Sequence, residues 1–174
     1  VVTPTYNEDQ NIEKLILEIR KIMDSLKSKY DYEHIVIDNK STDNTMNILK
    51  KIAKEDKNLK VIINSRNFGH IRSPFYGLLQ AKGDAVIFFN SDFQDPPELI
   101  PDYIKSWESG YKITLGQKTK TKENFFMKYL KKSYYKLLNA ISSVNLPLNT
   151  TGSGIYDQKI IEQLRKIKDP YPYL

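Results

Sequence analysis

"AVIFFNSDFQDPPE", residues 85–98, decides how this chain is read. Its opening run, Ala85 to Phe89, is apolar without alternation, the pattern of a strand covered on both faces in the interior of a parallel sheet. The run then exits into Asn90, Asp92, Gln94 and Asp95, four oxygen-bearing side chains within six residues. In open α/β sheets ligands bind beyond the carboxyl ends of the strands, so a buried strand that ends in oxygen ligands marks a candidate site as well as a fold class.

Working outward, the same alternation recurs. "VVT" (1–3) reads as the end of a first strand, "HIVID" (34–38) as a second, "VIIN" (61–64) as a third and "ITLG" (113–116) as a further one. Between them Ile12, Leu15, Ile16, Ile19, Ile22, Met23 and Leu26 repeat at three- and four-residue steps, which predicts an amphipathic helix over 11–29. Ser41, Thr42 and Asp43 offer capping oxygens ahead of a helix carrying Met46, Ile48, Leu49, Ile52 and Ala53. A third helix is predicted over 73–82, with Ser73 and Pro74 in cap and first-turn positions and Gly83 as its stop. Strand, helix, strand, helix implies an α/β fold with a mostly parallel sheet flanked by helices. After residue 116 the pattern weakens to a loop, a helix over 123–144, the turn "NLPLNTTGSG" and a helix over 158–168.

Composition bounds the rest. At 174 residues the chain suits one domain, 1–174, and it contains no cysteine, which excludes disulfides and thiolate metal sites. No apolar run reaches the roughly 18–20 residues that cross a bilayer, and Val1 is not followed by a leader-like pattern, so the chain as given is expected to be soluble. The net charge of +6 favours phosphate-bearing partners, although a lysine-rich background explains it equally.

Four polar tips follow the strands: "PTYNE", "DNKSTD", "SRNFG" and "NSDFQDPPE". Mg or Mn is held by one or two carboxylates together with substrate phosphates, and Asp92 with Gln94 or Asp95 supplies that donor set. Asp95 has a competing structural role as the N-cap of a helix, with Pro96 in the first position and Glu98 closing a capping box. Asp38 ends its strand where a carboxylate can accept from a base N–H. Arg66 offers a five-donor fork to phosphate or base, or is simply a solvated surface arginine. Tyr6 is a base-stacking or packing aromatic, and His70 reads as an ordinary loop histidine.

The runs PTYNE, IDNKSTDNT, SRNFGH and AKGDAVIFFNSDFQDPPELI, in this order over residues 1–118, resemble the family 2 glycosyltransferases, within them the group acting on polyprenyl phosphate. The resemblance implies a GT-A fold that transfers a sugar with inversion from a nucleotide diphosphate sugar, of UDP or GDP type, to a polyprenyl phosphate or a glycan hydroxyl. It implies a nucleotide-sugar site of Pro4, Tyr6, Glu8, Asp38, Arg66, Asn90 and Asp92. The metal, Mg or Mn, falls to Asp92 and Gln94. Asp92, Asp95 and Asp157 are the candidate catalytic carboxylates.

This sequence departs from the family pattern at three places. Asn90 stands where the first Asp of Asp-x-Asp is usual, Asn39 and Lys40 replace Asp and Gly, and Ser153 of "TGSGIY" occupies the place of the Asp in Gly-Asp-Phe-Arg. A phosphate acceptor is already anionic and needs little help from a base, which makes the Ser153 exchange tolerable for that acceptor class. Relatives of this group often carry transmembrane helices after the domain. The expectation is therefore a fragment lacking its extreme N-terminus and a C-terminal, membrane-anchoring part, working at the cytoplasmic face of a membrane. Lys128, Lys132 and Lys136 share one side of the 123–145 helix, which suits contact with an anionic membrane surface or merely a solvated helix face. Two rivals are a catalytically weakened nucleotide-sugar-binding relative and a basic nucleic-acid-binding module. The acidic strand tips argue against nucleic acid, and the absence of Gly-x-Gly-x-x-Gly after the first strand disfavours a dinucleotide-dependent oxidoreductase.

Overall fold

All five residues of "HIVID" are buried, and a strand without a wet face needs a layer on each side. The computed structural model describes residues 1–117, 129, 134, 150–167 and 169. In chain order it contains β1 (Val2–Thr5), α1 (Ile12–Ser25), β2 (His34–Asp38), α2 (Thr45–Glu55), β3 (Leu59–Ile63), α3 (Gly69–Gln80) and β4 (Ala85–Phe88). A 3-10 turn over Pro97–Leu99 leads into α4 (Ile100–Glu108), followed by β5 (Ile113–Gln117), β6 (Thr150–Asp157) and α5 (Gln158–Leu164). Apart from Tyr129 and Tyr134, the lysine-rich 123–145 segment lies outside the described residues. Among the described helices none is long and apolar enough to cross a membrane.

The six strands form one sheet in the order β3-β2-β1-β4-β6-β5. β1 to β4 run parallel, while β6 lies antiparallel between β4 and β5. The mostly parallel α/β fold read from the alternation is therefore the one observed. Alternating strand residues divide the core. Ile87, Phe89 and Ile155 meet Leu15, Ile19, Ile100 and Ile104 of α1 and α4 on one face. Val2, Val86, Phe88 and Tyr156 meet Leu78 of α3 and Ile161 of α5 on the other. Ile12, Ile16 and Val36 join Leu49 and Ile52 to seat α2 beside α1. Each fully buried Ile or Leu contributes about 1.5–3 kcal/mol, so the stripe of α1 anchors that layer more firmly than any helix propensity does.

β6 differs from the predicted turn. Gly152, Ser153 and Gly154 read as turn chemistry, yet they sit in an eight-residue strand. Small residues are needed there because the strands approach closely: a Cβ on Gly154 would stand 2.3 Å from the Thr114 carbonyl oxygen, and one on Gly116 would stand 2.6 Å from the Tyr103 hydroxyl. The third helix also begins earlier than predicted, at Gly69, which leaves Pro74 inside it.

Two outcomes follow. Gly154→Ala should lower the unfolding free energy by about 1–3 kcal/mol, read from the urea midpoint, because the strand pair must part to admit one methyl. The second concerns His34, which is buried and shares a 2.9 Å hydrogen bond with Thr3 Oγ1. Burial first, then neighbouring positive charge, pushes its pKa from 6.5 down to about 3. The unfolded chain thus binds the proton that the folded chain refuses, and stability supplied by neutral His34 is lost as pH falls from 6.5 towards 3. Denaturant midpoints should already decline between pH 6.5 and 5, before carboxylates titrate, and His34→Gln should flatten that limb.

Candidate active site

β1 and β4 are hydrogen-bonded neighbours only at Val2 and Phe88. Beyond that pair the strand tips diverge, with α1 leaving to one face of the sheet and α3 packing on the other. A cavity of about 420 Å³ opens there, lined by Pro4, Tyr6, Glu8, Asn39, Asn67, Gly69, His70, Ser73, Asn90 and Ser91 among others. Its walls are the tips of β1, β2 and β4, the loop after β3 and the first turns of α3. A smaller, more enclosed cavity of about 140 Å³ lies away from the tips, lined by Met23, Asp84, Trp107 and Ile155 among others.

Pro4, Tyr6, Glu8 and Asn90, four of the residues singled out from sequence, face the larger cavity together. Asp38 does not line it. Its carboxylate is fully buried and accepts from the Ser41 amide at 3.1 Å and the Ser41 hydroxyl at 2.5 Å. Ser41 Oγ in turn accepts from the Asn7 amide at 2.9 Å, and Asn7 Oδ1 accepts from the Thr42 amide at 2.8 Å. Asn7 and Lys40 adopt positive φ, 55° and 66°, to make this clasp. Ser41, Thr42 and Asp43 were expected to cap α2, but its N-cap is Asn44 without a side-chain capping bond, and Asp43, one residue before it, accepts from the Thr45 backbone N–H through Oδ1.

Arg66 is exposed on the loop after β3, its guanidinium stacked 4.8 Å from the Phe68 ring. Asp92 is exposed next to the lining residue Ser91. Positive φ at Phe93, 54°, folds the chain so that Asp92 accepts from the Gln94 amide at 3.1 Å and the Gln94 side chain at 2.6 Å. A hard cation needs oxygen donors, and this turn places one carboxylate and one carboxamide side by side at the surface, a fit for a metal that takes its remaining ligands from phosphate and water. Turning over the Gln94 amide would present its oxygen to the same ion. No cluster of three or more acidic or histidine ligands exists among the described residues.

Asp95 is not the helix cap expected of it. The helical turn starts at Pro97 with Pro96 as its N-cap and no side-chain capping bond. Asp95 is buried, and its Oδ2 makes no hydrogen bond; the same is true of Tyr103 Oη and Ser153 Oγ. Burial, then the Asp95 charge, pushes the Tyr103 hydroxyl up to about 12. Asp157 is not brought to the mouth. It pairs with Ala85 at the start of β4, the opposite end from Asn90. There it caps α5 through the Lys159 amide, and Lys112 first and then the Trp107 indole hold its carboxyl down to about 2.

Sequence reasoning passed over Asn67, Ser73 and Pro74 and took His70 for an ordinary loop residue, although all four line the cavity. The signal was Gly69: a glycine two residues after Asn67, at φ 83°, opens α3 at the cavity wall.

With this geometry in view, comparison with known proteins is informative. The model of "Glycosyl transferase family 2" matches residues 1–165. The chain belongs to that family. It is 32% identical over 175 residues to an uncharacterized glycosyltransferase, YkcC, of Bacillus subtilis (strain 168), covering 100% of this chain and 54% of the relative. It is 29% identical over 170 residues to the bactoprenol glucosyl transferase of Shigella phage SfV, covering 97% of this chain and 55% of that protein. The chain thus spans about half the length of the curated relatives it matches. Among solved structures, glucosyl-3-phosphoglycerate synthase from Mycobacterium tuberculosis, in complex with Mn2+, UDP and phosphoglyceric acid, superposes with a TM-score of 0.61 at 24% identity, over 91% of this chain and 55% of that one. The mannosyltransferase PcManGT from Pyrobaculum calidifontis, in complex with GDP-Man and Mn2+, gives 0.56 at 18% identity, over 94% and 45%. These likenesses place this family 2 member in the GT-A fold.

The clasp makes a test of its own. Ser41→Ala removes one donor from buried Asp38 and the acceptor of Asn7, and should cost about 1–3 kcal/mol in urea unfolding, the penalty of a buried polar group left short of a partner.

Proposed function

We propose that this chain is the catalytic domain of an inverting glycosyltransferase that takes a sugar from a UDP or GDP sugar, with Mg or Mn on the diphosphate, and passes it to a polyprenyl phosphate or a glycan hydroxyl. The observation that carries the reading is the cavity at the β1–β4 divergence, where Pro4, Tyr6, Glu8 and Asn90 converge and Asp92 stands beside lining residue Ser91. A nucleoside fits against Tyr6 and Pro4. The first turn of α3 at Gly69 presents backbone N–H groups and the positive end of a helix dipole, which favour a diphosphate. Arg66 lies on the adjoining loop, a further cation for the phosphates.

In this reading Asp92 and Gln94 hold the divalent cation, which supplies neutralisation of the leaving diphosphate. An acceptor oxygen attacks the anomeric carbon from the face opposite the nucleotide. The bond from that carbon to the diphosphate breaks with its electron pair leaving on the diphosphate, and the configuration inverts. A phosphate acceptor arrives deprotonated. A hydroxyl acceptor must lose a proton, for which Asp95 is the nearer candidate and Asp157, at the far end of β4, the poorer one. Asp38 supports the nucleotide pocket through the Ser41–Asn7 clasp. The bactoprenol-acting relative supports a polyprenyl phosphate acceptor; action at the cytoplasmic face of a membrane and contact through the 123–145 segment belong to the same proposal.

A second reading, a weakened relative that binds nucleotide sugars without turnover, is favoured by Asn90, which leaves Asp92 as the one carboxylate of the Asp-x-Asp position. One experiment separates them. Thermal shift with UDP, GDP and their sugars, with and without Mn, should show a metal-dependent rise, since ligand at a hundredfold its Kd stabilises by about 2.7 kcal/mol. Turnover of the stabilising sugar nucleotide should fall about 100-fold or more in Asp92→Ala, the order expected for losing a group that stabilises developing charge. Metal-dependent binding without turnover in the unaltered chain selects the second reading, and no stabilisation by any nucleotide discards both.

A further inference from the structure

The turn that carries Asp92 and Gln94 stands on the residue between them. Asp92 and Gln94 are exposed, whereas Phe93 is half-buried and Asp95 is buried. The Phe93 ring packs against the core cluster that holds Leu15, Ile19, Phe89 and Ile100. Lys14 of α1 lies with Nζ 5.1 Å from the ring centroid. The turn is therefore fastened to the α1 layer, while Gly69, His70 and Ser73 on another wall of the cavity belong to α3. Phe93 holds φ at 54°, a left-handed conformation in which an L side chain crowds its own backbone. An aromatic side chain has no local hydrogen bond with which to offset that cost, so the compensation comes from burial of the ring. What the conformation secures is visible in the bonds it closes: Asp92 accepts from the Gln94 amide at 3.1 Å and from the Gln94 side chain at 2.6 Å.

We propose that Phe93 is the positioning residue of this turn: its inward ring holds the left-handed backbone that sets Asp92 and Gln94 side by side, and so fixes the arrangement in which they take a divalent cation. The consequence rests on the metal-binding reading of Asp92 and Gln94, though the geometry does not. The rival explanation is that residue 93 acts through backbone conformation alone. Glycine separates the two, because it adopts positive φ without strain and has no ring. Were backbone freedom all that the turn needs, Phe93→Gly would hold it as well as phenylalanine or better. With the ring as anchor, glycine loosens the turn despite relieving the strain. Leucine, apolar and long enough to reach the same core, then restores most of the hold.

The test uses Phe93→Gly, Phe93→Ala and Phe93→Leu in the intact chain. Hydrogen exchange reads the turn without any ligand: the Gln94 amide, which donates to Asp92 Oδ1, should exchange about tenfold or more faster in Phe93→Gly and within about threefold of the unaltered chain in Phe93→Leu. The Phe68 amide, bonded to Asn39 Oδ1 just ahead of α3, should keep its rate within about twofold in both, which separates a loosened turn from a loosened domain. Mn2+ binding is read from the electron paramagnetic resonance of the free ion at saturating UDP and again at saturating GDP. It should weaken about tenfold or more in Phe93→Gly, the order expected when a residue that orients a metal ligand is lost, and return to within about threefold in Phe93→Leu. Phe93→Ala removes the ring without freeing the backbone, and it carries the test with the same expected losses where the glycine variant does not fold. Gln94 exchange or Mn2+ affinity within about twofold of the unaltered chain in the ring-less variants, a loss that Phe93→Leu shares in full, or Phe68 exchange accelerated as much as Gln94, overturns the proposal. If the unaltered chain binds no Mn2+ with either nucleotide, the metal reading of the site fails, and exchange at Gln94 still decides the role of Phe93.

Discussion

The constraint on which the rest depends is the reversal of strand order at β1. β2 and β3 extend the sheet to one side of it and β4, β6 and β5 to the other, so β1 and β4 part after a single registered pair and a crevice has to open between their tips. Backbone groups beyond that pair lose their ladder partners, and each must find another or remain near water. Side chains supply them. Asn7 N–H goes to Ser41 Oγ, Glu8 N–H to Thr45 Oγ1, Asp9 N–H to Asp43 Oδ2 and Phe68 N–H to Asn39 Oδ1. The polar residues of the tips thus satisfy the backbone first, and the surface they leave over is the candidate site.

That ordering separates two kinds of polar residue in the same motifs. Asp38 is buried away from the cavity and bonded to Ser41, whereas Asn39, also buried, borders the cavity with its amide committed to the 64–69 loop. Tyr6, Glu8, Asn90 and Ser91 present themselves to the cavity, with Asp92 next in the chain. Asp95, Tyr103 and Ser153 form a third kind, buried without a protein hydrogen bond to the atoms concerned. Ser153 shares the parity of Ile155, and Ile155 and Tyr103 pack in the core between the sheet, α1 and α4. These groups therefore lie on the face opposite α3, apart from the nucleotide-side wall.

What could be read and what could not follow from the range of the forces involved. Strands β2 and β4 were legible because burial on both faces writes a continuous apolar run, and α1 because its core stripe repeats at helical spacing. β6 was not, since its Gly154 answers to Thr114 and its neighbour strand's Gly116 answers to Tyr103, partners distant in sequence. The start of α3 was misplaced for the same reason: Ser73 and Pro74 look like a cap locally, whereas the helix is launched from Gly69 by bonds to Asn39, thirty residues earlier. Asp95 matched a capping box and did not become one.

The amino-acid sequence by itself determined the α/β class, the mostly parallel sheet, and which strand tips carry oxygen-rich side chains, because these depend on hydrophobic period and residue chemistry within a few neighbouring positions. Tertiary structure alone decided which of those side chains face a common cavity. It tied Asn7 to Ser41, committed Asn39 to the 64–69 loop, and sent Asp157 to the far end of β4. The physical reason is that a hydrogen-bonding group is spent on whichever partner the folded chain brings within about 3 Å, and that partner is chosen by strand order, to which no local pattern refers.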